Sequence, residues 1–425
     1  MFTKFSRILI ITIALVPALF NIALGQDNRT LESLKTTAEY GEGQRRTDAQ
    51  FELGYRYYTG TKGATQDYEK SAKWFLPCAE KGSLPAMFNL YLCYSVNSRI
   101  KDSATAIKWL IQAADAHYSP ATIIAGKRYY YGDGVSQDYR KAAQYFKDAA
   151  FQENGEGMYY YSWIHAYGQG VQKDSTKAVL WAKRGINSGD NNCKTLLGKI
   201  YYEGQAVKKN YSEAFAYYRE GDAENISNCS VGLGNMYKNG EFVDVNLPKA
   251  IECFTKAANQ NNLDGIAGLI YIFAAESSDC YNLDMAIYWI KKHIAAGGTT
   301  FKQYLPTYLA EAGRYSEAEQ YYKTEAEKGS ASAYNSWAYL YVNGKLGAVD
   351  YSMALSLIEK AIALEPNNPN FQDSKGEILM KKGDTKGARR VWTIINKNYP
   401  SYYADYIKRT GEDTELNTYM KANAQ

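Results

Sequence analysis

Shifted by 36 residues, the stretch 121–156 returns as 157–192, then as 193–228, 229–264 and 265–300. A fixed period of this length constrains the fold more than composition does, because it marks a solenoid built by stacking one supersecondary unit. Each unit reads as two helices, so the expected fold class is all-α. In 121–131 the residues Ala121, Ala125, Gly126 and Tyr129 share one helical face. Gly132 then stops the helix, since glycine enters the left-handed conformation without a steric penalty. Asp138 suits the N-cap of the second helix, whose buried stripe is Ala142, Tyr145, Phe146 and Ala149.

Other copies keep the same assignments. The stop is Gly60, Gly168, Gly204, Gly240 and Gly344, and the cap is Asp67, Asp174, Asn210, Asn246, Asn282 and Asp350. An aromatic near the end of the first helix recurs as Tyr57, Tyr94, Tyr201, Tyr237 and Tyr341, with His165 and Phe273 as variants. Gly54, Gly126, Gly198 and Gly234 fall inside the first helix, where glycine costs about 1 kcal/mol relative to alanine. Their recurrence predicts a partner helix packed so closely that a methyl group would clash. Tyr91 and Ile270 replace this glycine in two copies, and Asn97 and Glu276 replace the stop glycine in the same two.

The pattern carried by Ala49, Leu53, Gly54, Tyr57, Gly60, Asp67 and Trp74, and again by Leu197, Gly198, Tyr201 and Gly204, resembles the Sel-one-like repeat family, a longer relative of the tetratricopeptide repeat. The resemblance implies an α-α superhelix, a right-handed solenoid of tandem helix-turn-helix units. It also implies a non-catalytic scaffold for protein or peptide partners.

The chain then divides as follows. Residues 1–25 read as a signal peptide, with Lys4 and Arg7 ahead of an apolar run and small residues at Ala23 and Gly25. Residues 26–48 supply an N-terminal capping helix. Residues 49–300 hold seven repeats, 301–332 a shorter tetratricopeptide-like pair, 333–369 a further Sel-one-like unit, 370–400 a tetratricopeptide-like repeat, and 401–425 a C-terminal cap and tail. The leader places the mature chain outside the cytoplasm, in a periplasm or beyond the cell, and suits a bacterial source. No stable membrane span is expected after its cleavage.

Little in the sequence points to chemistry. Net charge is only +4, and basic stripes of the kind that bind nucleic acid are missing. Three histidines are dispersed, and His165 takes a core position of the repeat, so no metal site and no cofactor are read. Ser98–Lys101 matches the S-x-x-K signature of penicillin-recognising enzymes. About one such match arises by chance in a chain this long, and no K-T-G accompanies it. Six cysteines are few for an exported chain of this length; Cys78 and Cys93 lie on successive helices and are read either as a pair or as small buried hydrophobes.

By the tetratricopeptide analogy the first helices line the inner face, at positions one and four after the mid-helix glycine. These are Tyr55 and Tyr58, Lys127 and Tyr130, Trp163, Lys199 and Tyr202, and Asn235 and Lys238, with Tyr159 one turn before Trp163. Such an aromatic groove dotted with lysines suits a protein or peptide. The rival readings are a glycan- or cell-wall-binding protein, with rings stacking on sugars, and more remotely a β-lactam-processing enzyme acting through Ser98. A further possibility is that these rings only pack against the next repeat.

Overall fold

The computed structural model describes residues 29–96, 101–399 and 402. The leader, Ser98 and all of the C-terminal cap but Tyr402 lie outside them. The described residues form α-helices, one short 3-10 turn and no strand. They divide into two compact units, one ending at Asn246 and the other beginning at Leu247.

Unit 1 holds α1 (Leu31–Tyr40), α2 (Gly43–Thr59), α3 (Tyr68–Glu80), α4 (Leu84–Val96), α5 (Ser103–Asp115), α6 (Ser119–Tyr131), α7 (Tyr139–Phe151), α8 (Gly155–Tyr167), α9 (Ser175–Asn187), α10 (Asn192–Glu203), α11 (Tyr211–Ala223) and α12 (Ser227–Asn239). Unit 2 holds α13 (Leu247–Asn259), α14 (Leu263–Phe273), α15 (Leu283–Ala295), α16 (Leu305–Glu311), α17 (Tyr315–Glu327), α18 (Ala331–Val342), α19 (Tyr351–Leu364), α20 (Pro369–Lys382) and α21 (Thr385–Asn398). From α7 onward the second helices begin at Tyr139, Ser175, Tyr211, Leu247 and Leu283, and so keep the 36-residue step. The first helices α4, α6, α8, α10, α12, α14 and α18 start one or two residues ahead of the frame read from the sequence, and α2 starts six ahead, at Gly43. Asn154 caps α8 and Asn262 caps α14, accepting from the amides of Gly157 and Gly265.

The turns explain the strict punctuation. Gly60, Gly132, Gly168, Gly204 and Gly240 all sit in the left-handed region, with φ between 68° and 72°. Asp67, Asp138, Asp174, Asn210, Asn282 and Asp350 accept from amides in the first turn of the following helix. Each cap residue also donates its own amide to the carbonyl of the first-helix aromatic: Asp138 to Tyr129 at 2.9 Å, Asp174 to His165 at 2.9 Å, Asn282 to Phe273 at 2.8 Å. The acceptor is a backbone oxygen, so the side chain at that position is free to vary. That accounts for His165 and Phe273.

Three of the mid-helix glycines, Gly54, Gly126 and Gly198, do face a clash, but with a ring and not with a backbone. A Cβ on Gly54 would lie 2.7 Å from the Phe75 ring, one on Gly126 2.7 Å from Phe146, and one on Gly198 2.4 Å from Tyr218. Where the glycine is replaced, the opposing residue shrinks: Leu110 stands in that position in the repeat with Tyr91, and Ala182 in the repeat with Ser162. The crossing between one repeat and the next follows the same rule. Gly185 abuts Cys193 and Gly221 abuts Cys229, whereas Ala149 abuts Gly157.

Cys193 and Cys229 are thus buried fillers opposite glycines. Cys78 and Cys93 are both buried thiols with different neighbours: the Cys78 Sγ faces the Thr47 carbonyl at 3.5 Å, and the Cys93 Sγ faces the Ser71 hydroxyl at 3.4 Å. They are not joined. Burial raises both thiol pKa values, to about 11 for Cys78 and about 12 for Cys93.

Candidate partner-binding face

In unit 1 the first helices α8 and α10 touch one another directly, as do α10 and α12, in addition to packing on their own second helices. All ten residues singled out from the sequence lie on first helices and are half-buried. Their surroundings differ from an open groove of free side chains. The Tyr130 hydroxyl donates to Gln169 Oε1 at 2.6 Å, and the Trp163 indole donates to that same oxygen and to the Tyr130 hydroxyl, each at 3.0 Å. The Tyr202 hydroxyl donates to Glu241 Oε2 at 2.8 Å. Lys127 pairs with Glu156 at 2.8 Å. Lys199 reaches Glu203 at 3.6 Å and lies over the Trp163 ring, 4.9 Å from its centroid.

Tyr159 stands 6.2 Å from Trp163, ring to ring, and 5.1 Å from Tyr160, which stacks on Phe146 at 4.6 Å. Tyr58 meets Tyr68 edge-on at 5.3 Å, and Tyr55 packs on the cluster around Phe75. Asn235 and Lys238 are half-buried on α12. Burial raises the hydroxyl pKa values of Tyr58, Tyr130, Tyr159 and Tyr202, so each stays protonated near neutrality.

The result is a ladder in which the Tyr130, Tyr167 and Tyr202 hydroxyls are each held by the following repeat. Residues that complete it were not singled out in the sequence: Gln169 and Glu241 as acceptors, and Tyr167, whose hydroxyl donates to Glu203 at 2.9 Å. A signal for the acceptors existed, because Gln169 and Glu241 both directly follow a stop glycine. With the hydroxyls turned along the stack, the face offers solvent its rings and its internally paired lysines. Tyr131 is the most open of these rings, 48% exposed. No group of acids, histidines and cysteines suited to a metal ion occurs among the described residues. His165 packs edge-on against Tyr161 at 4.7 Å, and burial lowers its pKa, which keeps it neutral.

A stack of helix pairs with this punctuation defines an α-solenoid of tandem repeats. The chain belongs to the Sel1 repeat family: the family's repeat matches residues 47–83, 86–118, 120–151, 155–190, 193–221, 228–262 and 331–365, together more than half of the chain. Among solved structures, a Sel1 repeat protein from Oxalobacter formigenes is 24% identical, covers 65% of this chain and 80% of its own, and superposes with a TM-score of 0.54. A protective antigen present in uropathogenic Escherichia coli strains, displaying an SLR fold, is 26% identical over 82% of each chain, with a TM-score of 0.46. No curated protein matches the chain. Sel1 repeat proteins generally act as scaffolds for protein interaction and are typically non-catalytic. Among the described residues no helix is long and apolar enough to cross a membrane.

Proposed function

We propose that this chain is an exported, non-catalytic scaffold that binds a protein or extended peptide along the inner face formed by its first helices. One observation carries the reading: the half-buried ladder from Tyr130 through Trp163 and Lys199 to Tyr202 is a rigid aromatic surface whose order is already set by bonds between repeats. A partner docking there meets side chains that lose little further freedom, which favours affinity. Lys127 and Lys199 already have carboxylate partners, so the surface selects by shape and apolar contact more than by charge.

The test is a pull-down from envelope extract with residues 26–425 as bait, beside a Tyr55→Ala/Lys127→Ala/Lys199→Ala variant. These changes trim the face without cutting a hydroxyl bond between repeats; Lys127→Ala removes the half-buried pair to Glu156, and ion pairs that reach solvent contribute about 1 kcal/mol or less each. Capture by the wild type and loss by the variant, folded by circular dichroism, supports the reading. Equal capture by both puts the site elsewhere. Binding of saccharide and of no protein moves the assignment to glycan.

A further inference from the structure

The last helix pair carries a surplus of positive charge. Between residues 369 and 398 there are seven lysines and arginines against three acids, a surplus of four that equals the net charge of the whole chain. Much of it lies on one face of α21. Ala388, Trp392 and Ile395 form the buried stripe of this helix, with Leu379 and Met380 of α20 packed against it. Lys386, Arg389, Arg390, Thr393 and Ile394 recur at spacings of three and four on its other side. With Thr385 they line one open groove of about 580 Å³. All six are exposed, and Ile394 keeps 57% of its surface in solvent.

On α7 and α9 outward cations are engaged by their own repeat. Lys141 lies over the Tyr129 ring at 5.1 Å, Arg184 over the Trp181 ring at 4.8 Å, and Lys177 pairs with Asp174 at 3.2 Å. In the last pair the three acids are committed elsewhere. Asp384 accepts from the Gly387 amide, Glu377 from the Tyr339 hydroxyl, and Asp373 from Trp392 and Tyr402. Among the described residues, Lys386 and Arg390 meet neither a carboxylate nor a ring.

We propose that this face of α21 docks an acidic segment of a protein partner. The groove runs along about 12 Å of helix from Lys386 to Ile394, the length of about four residues of extended peptide. An arginine fork takes a carboxylate through two parallel bonds, and a lysine adds a mobile point charge. Ile394 gives an apolar side chain of the same segment its contact. Three cations around an isoleucine suit such a segment better than a run of phosphates, which is commonly held through about six to ten contacts. The proposal rests on the scaffold reading for the class of partner, but uses no residue of the unit 1 face.

The test uses residues 26–425 and a fluorescein-labelled nonapeptide repeating glutamate, glutamate and leucine, followed by anisotropy at low salt. A peptide with glutamine in place of glutamate is the control. Lys386→Gln/Arg390→Gln removes two exposed charges that no carboxylate holds, and so leaves the fold in place, which circular dichroism checks. The proposal expects this double variant to weaken binding about tenfold. Ile394→Ser weakens it less, and Lys73→Gln/Lys183→Gln, which removes two exposed charges from α3 and α9, leaves it unchanged. No binding by the wild type, equal binding of the glutamine peptide, equal binding by the α21 variant, or an equal loss with Lys73→Gln/Lys183→Gln overturns the site. Vesicles of anionic phospholipid that bind the wild type more tightly than the peptide, and lose it with the α21 variant, overturn the acidic segment as occupant. None of these outcomes bears on the pull-down with the unit 1 variant, so the two readings fail separately.

Discussion

Gly126→Ala should destabilise unit 1, although alanine is the better helix former. The helical preference alone favours the variant by about 1 kcal/mol. Against it, the new Cβ would lie 2.7 Å from two carbons of the Phe146 ring and 3.3 Å from the Tyr145 Cβ. Carbon atoms pack best at about 3.5–4.0 Å, so the ring must move by close to an ångström. It has no room to do so, because Phe146 is fully buried and its other neighbour, Tyr160, stacks on it at 4.6 Å. Overpacking of this kind costs about 1–3 kcal/mol, and a ring that cannot move takes the upper part of that range, about 2–3 kcal/mol. The net expectation is a loss of about 1–2 kcal/mol, concentrated in α6, α7 and α8. Hydrogen exchange is the suitable assay, since a repeat array need not unfold in one step. Amides of α6 and α7 should exchange about five- to thirtyfold faster, while those of α2 and α3 hardly change. A double-mutant cycle with Phe146→Leu sharpens the test, because leucine holds the matching position opposite Tyr91 in this same chain. The alanine should be tolerated far better beside leucine, with a coupling above about 1 kcal/mol. A neutral or stabilising Gly126→Ala, or additive behaviour in the cycle, would refute the ring-on-glycine account.

Three further expectations rest on the same structure. Gly168→Ala should cost about 1–2 kcal/mol from backbone strain alone, because φ is 72° and nothing lies closer to the added Cβ than 3.5 Å; Gly168→Asn should cost less, and thermal melts compare the two. Burial, then Glu377, raises the Asp373 pKa to about 7, against the pull of Tyr402 and Trp392, which donate to its oxygens at 3.3 and 3.2 Å. The folded state therefore holds this proton more tightly than the unfolded one, and stability falls as pH rises from about 4 to about 7, by up to about 4 kcal/mol. Asp373→Asn should flatten that part of the pH–stability curve; an unchanged slope counts against the assignment. Cys78 and Cys93 should react with a thiol reagent only on unfolding, and rapid modification of the native chain would contradict their burial.

Much of the architecture was legible in the sequence because its signals are local. A stop glycine and a capping Asp or Asn each act within a few residues, so Gly132 and Asp138 could be assigned their roles from spacing alone. The mid-helix glycines were legible only in part. Their recurrence showed that a methyl group was forbidden, but the body in the way is a single ring of the second helix, that of Phe75, Phe146 or Tyr218. That required the rotation of the second helix, which no single helix encodes. The residues read as a face lie on first helices, whereas the partners of Tyr130 and Tyr202 lie 39 residues on, in the turn of another repeat. Such bonds depend on the stacking angle between repeats. The cysteines illustrate the same limit: Cys193 and Cys229 repeat at one period because each fills the space opposite a glycine, Gly185 or Gly221, in the preceding helix.

The claim that the first-helix face binds the partner is tested most directly by site-specific photocrosslinking. Tyr131 on α6 and Leu180 on α9 are similarly open, 48% and 45% exposed, but lie on a first and a second helix. With a photoreactive phenylalanine at each position in turn, the account predicts a discrete protein adduct from position 131 and none from position 180 in envelope extract. An adduct from position 180 with none from position 131 would contradict it.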